Sequence, residues 1–161
     1  MPDTMSINKS LEQHLLYLLK GDGAHVDFEA AIKDLPAGLR GKRPENAPHS
    51  PWEVLEHLRI TQRDILESIR TANHSSPEFP AGYWPGTQSP PDAAAWDKSV
   101  NAFRADLEAV LKLVNKSPDL LAPTPVGEDQ TIFRRLAMLA DHNAYHLGEF
   151  VLLRRLLGTW Q

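Results

Sequence analysis

The sequence predicts an all-α fold, a four-helix bundle with a long crossover between its second and third main helices. Three observations lead there. Apolar residues recur at helical spacing in four separate segments, no segment shows comparable strand alternation, and stretches rich in proline and glycine divide the segments. At 161 residues the chain can bury a sizeable core without crosslinks, and one domain over residues 1–161 is expected.

The first helix runs from Ile7 to about Leu19, with Leu11, Leu15 and Leu18 on its apolar stripe. Gly21-Asp22-Gly23 interrupts it, and Ala24, Phe28, Ala31, Ile32 and Leu35 resume the pattern as far as Pro36, with Asp22 a candidate N-cap. Residues 36–49 read as a loop. Ser50-Pro51-Trp52-Glu53 then opens the second main helix: Ser50 can accept from the amide of Glu53, Glu53 can reach back, and Pro51 suits a position that needs no donor. Val54, Leu55, Leu58, Ile65 and Ile69 form its stripe, and it should end near Asn73.

Residues 74–91 carry five prolines and two glycines, too long a stretch for a tight turn and suited to crossing the end of a bundle. Asp92 is the expected N-cap of the third helix, marked by Ala95, Trp96, Val100, Phe103, Leu107, Val110 and Val114 and stopped by Ser117-Pro118. The last helix begins near Asp129 to Thr131, carries Phe133, Leu136, Leu139, Ala140, Leu147 and Val151 inward, and stops at Gly158.

The totals exclude several functions. With no cysteine there is neither a disulfide framework nor a thiolate, so any metal must be held by nitrogen and oxygen. A formal net charge of -4 and scattered basic residues disfavour nucleic-acid binding. No apolar run approaches the ~20 residues that span a bilayer, and the N-terminus lacks the features of a secretory signal, so no membrane association and a cytoplasmic location are expected.

Within the last helix, Asp141-His142-Asn143-Ala144-Tyr145-His146 places two imidazoles about 40° apart around the axis and one turn apart along it, where both can reach one point. Two readings are open for such a pair: metal ligands, or core histidines satisfied by carbonyls and carboxylates. His57, near the inward face of the second main helix, is the best candidate for a third ligand. His49 is held in reserve, and His14, His25 and His74 are assigned with it to the surface.

The run Trp52-Glu53-Val54-Leu55-Glu56-His57-Leu58, joined with the late His142-x3-His146, then Leu147-Gly148 and Arg154-Arg155, resembles the DinB/YfiT superfamily over about residues 7–160. The resemblance implies a four-helix bundle, commonly a homodimer, in which three histidines bind a divalent ion such as nickel, zinc or iron. Residue by residue these are His57, His142 and His146. It also implies a metal-dependent enzyme acting on a small molecule, since relatives include hydrolases and thiol S-transferases, some using a low-molecular-weight thiol. A non-catalytic bundle that binds metal or ligand as a dimer is the alternative. Three protein nitrogens leave a coordination position open, the arrangement of a catalytic site.

Two carboxylates bear on the chemistry. Glu149, three residues past His146, and Asp64, seven past His57, can each accept the second ring proton of a ligand or serve as a base. Their plainer reading is as surface residues paired with Arg63, Arg135 or Arg154. Tyr83 and Trp84 in the crossover are expected to plug it against the bundle rather than to line a substrate opening. Arg154-Arg155 is expected on a solvated or dimer-edge face.

Overall fold

The computed structural model describes residues 4–21 and 23–160. It has five helices: α1 Thr4–Lys20, the short α2 Phe28–Ile32, α3 Pro51–Arg70, α4 Ala95–Lys116 and α5 Ile132–Leu156. Helix α3 packs on both α4 and α5, and α1 closes the bundle against α4 and α5. A two-stranded antiparallel ribbon, β1 Pro123–Thr124 with β2 Gly127–Thr131, precedes α5. It lies outside the predicted all-α content, because a ribbon this short has no room for an alternating pattern.

Two layers of core fill the bundle. One gathers Phe28, Leu55, Leu58, Trp96, Phe103 and Phe150, and the other Leu15, Leu66, Val110, Leu120, Leu136 and Leu139. Each such side chain contributes roughly 1.5–3 kcal/mol through burial, which fixes α3 and α5 side by side with their inward histidines facing. Trp52 and Trp96 are packing residues, each 4% exposed.

Local chemistry sets the helix ends. The capping box at Ser50 is present in full: Glu53 N donates to Ser50 Oγ at 3.2 Å and Ser50 N to Glu53 Oε2 at 2.8 Å. Helix α3 ends at Arg70, short of the expected Asn73. The cap of α2 is Asp27, whose carboxylate accepts from Ala30 N at 2.7 Å; the expected cap Asp22 lies outside the described residues. Asp92 does not cap α4. It accepts from Ala94 N at 2.8 Å and turns the chain two residues before the N-cap, Ala94. Thr131 caps α5 by accepting from Arg134 N at 3.1 Å.

The crossover is tied down at several points. Ser50 Oγ donates to Gln88 O at 2.6 Å, Trp52 Nε1 to Thr87 Oγ1 at 3.3 Å, and Gln88 Nε2 to Gly41 O at 3.0 Å. Gly41 permits the approach, because a Cβ there would lie 2.8 Å from Ser89 Cα. Arg154 corrects the expectation of a solvated pair. It is 5% exposed, donating to Ala31 O and Thr159 O at 2.7 Å each, while Arg155 is exposed. Two unpaired carbonyls at the helix ends draw the guanidinium inward, and the pattern of a charged dipeptide carries no trace of them. No helix among the described residues is long and apolar enough to cross a membrane.

Candidate metal centre

His57 comes from α3, and His142 and His146 from consecutive turns of α5. Their Nε2 atoms converge: His57 lies 3.0 Å from His142 and 3.1 Å from His146, and one nitrogen from each ring lies within 4.8 Å of the others. The outer nitrogens are held separately. His57 Nδ1 faces Tyr83 O at 2.8 Å, and His146 Nδ1 faces Glu149 Oε2 at 2.8 Å. Both partners are acceptors only, so both Nδ1 atoms carry the proton, and in the neutral rings both Nε2 atoms present lone pairs.

Two lone pairs 3.1 Å apart repel unless a positive centre lies between them, so the donor set fits a cation. His142 Nδ1 is buried with no hydrogen-bond partner among the described residues, leaving that ring free to turn its Nε2 lone pair inward. Electrostatics favour the neutral, ligating form. Burial, and then the charges of His146 and His57, lower the His142 pKa to about 4. Burial also holds His57 below the usual histidine range, against the opposing pull of the Tyr83 carbonyl.

Glu149 stands behind the site. Its second oxygen accepts from His49 Nδ1 at 2.8 Å, so one carboxylate braces two imidazoles. Burial pulls its pKa upward, but the hydrogen bonds from His146 and His49 outweigh that and leave it below the ordinary range. Asp64 makes no hydrogen bond to any of the three histidines. It accepts from His74 Nε2 at 2.7 Å and from the Tyr83 hydroxyl at 2.9 Å, and so anchors the residue whose carbonyl orients His57.

Of the histidines assigned to the surface, His14 and His25 are exposed. His49 and His74 are not: they are half-buried against Glu149 and Asp64. The indole of Trp84 stacks on His57 at 4.0 Å and on His49 at 3.9 Å. Trp84 and Tyr83 therefore pack the crossover onto the site, and they also line a cleft of about 380 Å³ shared with His57 and His142. Beneath the rings, Gln62 links the helices, donating to Phe103 O at 2.8 Å and accepting from Asn143 Nδ2 at 3.2 Å.

Sequence reasoning found the three converging histidines and Glu149, and missed three supports. Tyr83 acts through a backbone carbonyl, which leaves no mark in the residue type. The roles of Trp84 and of His49 depend on where the crossover folds back, and only the loop's length and aromatic content hinted at it.

The sequence profile of the DinB superfamily matches residues 22–150, a span that includes all three histidines. The chain belongs to the DinB superfamily. No curated protein and no solved structure gives a significant match. In this DinB-superfamily protein the three histidines form a cluster able to hold a metal ion, and two of them, His57 and His142, line the cleft.

Proposed function

We propose that this protein is a metal-dependent enzyme acting on a small molecule, and that the transfer of a low-molecular-weight thiol describes it better than hydrolysis. The observation that carries the reading is the junction of the three-imidazole cluster with the cleft of about 380 Å³, the size of a small-molecule site. His57, His142 and His146 would hold a divalent ion, nickel, zinc or iron, with a position left toward the cleft. Such an ion supplies Lewis acidity, lowering the pKa of a water or thiol or polarising a carbonyl.

The protein's own groups set the rest. Glu149 and the Tyr83 carbonyl accept the outer protons of His146 and His57, fixing the tautomers that ligate and strengthening the rings as donors. Proton removal is where the two chemistries part. Glu149 has both oxygens engaged by histidines. Asp64, the one carboxylate lining the cleft among the described residues, is engaged by His74 and Tyr83. Both act as positioning residues in this reading, and neither stands ready as a base. A thiol, with a pKa of about 8.5, ionises near neutrality with far less help than water, at about 15.7.

Metal analysis of protein purified without an affinity tag, beside a variant carrying His57→Ala, His142→Ala and His146→Ala, tests the ion. Equal metal in both sinks the site. Panels of thiols with electrophiles, and of esters and amides, test the chemistry. Turnover that requires metal and thiol, and is lost in His146→Ala, supports the reading; metal-dependent ester or amide hydrolysis without thiol overturns the preference.

A further inference from the structure

The histidine cluster occupies one end of the cleft, and the other end has a different chemistry. Arg135, Met138 and His142 all line it from α5. Their spacing puts them on one stripe, with Arg135 two turns, roughly 10 Å, from His142 along the axis. Helix α3 supplies the facing wall with His57, Thr61 and Ile65, and the crossover covers part of it through Tyr83 and Trp84. Phe79 stands at the mouth, 84% exposed, and Met138 is 43% exposed, so two apolar side chains border the opening with nothing among the described residues covering them.

Arg135 is fixed in place yet makes no ion pair among the described residues. Its Nε donates to Ser68 Oγ at 3.0 Å, and Ser68, fully buried, donates onward to Ile65 O at 2.7 Å. This orients the guanidinium plane and leaves its Nη1–Nη2 edge without a partner among the described residues. Among the described residues no carboxylate pairs with it, and both oxygens of Asp64 are engaged by His74 and the Tyr83 hydroxyl. A positioned guanidinium with no ion-pair partner among the described residues, at one end of a mostly apolar cleft, matches the planar two-oxygen geometry of a carboxylate. A phosphate dianion would bring more charge than this single cation neutralises.

We infer that the cleft takes a small molecule carrying a carboxylate, held by Arg135, with an apolar body along Met138 and Phe79 and its far end presented to His57 and His142. The inference rests on the proposed use of the histidine face as the reacting end, and adds the class of substrate.

Calorimetric titration of the intact chain with 4-phenylbutanoate, its primary amide and 3-phenylpropylphosphonate, with and without added zinc, tests it. The acid is expected to bind at least tenfold more tightly than the amide. Arg135→Gln removes that preference while leaving amide affinity within twofold, and Met138→Trp, which fills the cleft, weakens acid and amide alike by tenfold or more. Equal binding of acid and amide, an undiminished preference in Arg135→Gln, or phosphonate bound tenfold more tightly than the acid overturns the assignment. Should Arg135→Gln fail to fold by circular dichroism, unchanged acid binding in Met138→Trp overturns it equally. The two readings fail separately. A protein that retains no metal yet prefers the acid keeps the carboxylate site and loses the metal-dependent function; one that retains metal and shows no preference loses only the carboxylate site.

Discussion

His57 Nδ1 lies 2.8 Å from the carbonyl oxygen of Tyr83, so the orientation of a ligating ring on α3 is set by the backbone of the crossover. Tyr83 is itself held through its hydroxyl, which donates to Asp64 on α3. The helix thus positions its own histidine indirectly, through a residue nineteen positions beyond Asp64 and a loop folded back over the cleft.

Tyr83→Phe keeps the carbonyl and the ring but removes the tie to Asp64. Metal affinity should fall, by about tenfold, the lower end of what partners of metal-bound histidines contribute. Competition against a chelator of known affinity measures it. An unchanged dissociation constant would mean that the loop holds its carbonyl in place without the hydroxyl.

Glu149→Ala should cost more. It strips the acceptor from both His146 and His49, freeing one ligand to change tautomer and leaving two ring N–H groups unpaired. A loss of about 10- to 100-fold in metal affinity is expected, with Glu149→Gln between the two because its amide oxygen can still accept one proton. If Glu149→Ala retains metal as the unaltered protein does, the carboxylate is a surface brace for His49 alone.

The metal-free protein should lose stability in mild acid. The folded-state pKa of His142 is about 4, against 6.5 for the ordinary group, and His57 is shifted in the same direction. Below about 6.5 the unfolded chain takes up protons that the folded rings refuse, so unfolding gains on folding until the folded pKa is passed. The contribution is therefore full above pH 6.5 and lost as pH falls toward 4. For His142 it amounts to about 2 kcal/mol, allowing for solvent screening of a partly exposed ring. Urea denaturation between pH 7.5 and 4.5 should show the decline in the metal-free protein, and His142→Ala should reduce its slope. A bound ion should steepen the decline, since protons then compete with metal as well.

How much of this was legible in the sequence depended on whether a residue acts through its side chain at a fixed helical spacing. His142 and His146 share a face because the helix repeat places them there, and Ser50 with Glu53 marks the start of α3 through donors that any helix must satisfy. His57 was found by the same periodicity. The partners of Asp64, the stacking of Trp84 and the burial of Arg154 arise between a helix and a segment outside it, at no fixed helical spacing. There the deciding quantity is which acceptor or ring the fold brings near, and residue type alone does not encode it. Asp92 shows the same limit at short range: an acidic residue before a helix can cap it or turn the chain ahead of it, and here the carboxylate meets Ala94 N.

Gln62 offers a test of the frame beneath the site. Fully buried on α3, it donates to Phe103 O on α4 and accepts from Asn143 Nδ2 on α5, so one amide joins the three helices under the rings. Gln62→Leu keeps the volume but leaves the Asn143 amide without its acceptor. The expected cost is about 1–3 kcal/mol, the penalty for a buried donor left unpaired. Replacing both partners, Gln62→Leu with Asn143→Leu, removes the orphaned group and should recover most of that loss, because an apolar pair of similar shape needs no partner. Urea denaturation of the four proteins at neutral pH gives the coupling energy directly. Additive losses in the double variant would show that Gln62 stabilises the bundle through Phe103 alone. Metal affinity of the stable double variant then reports whether α3 and α5 still hold His57 and His142 at ligating distance without the polar bridge below them.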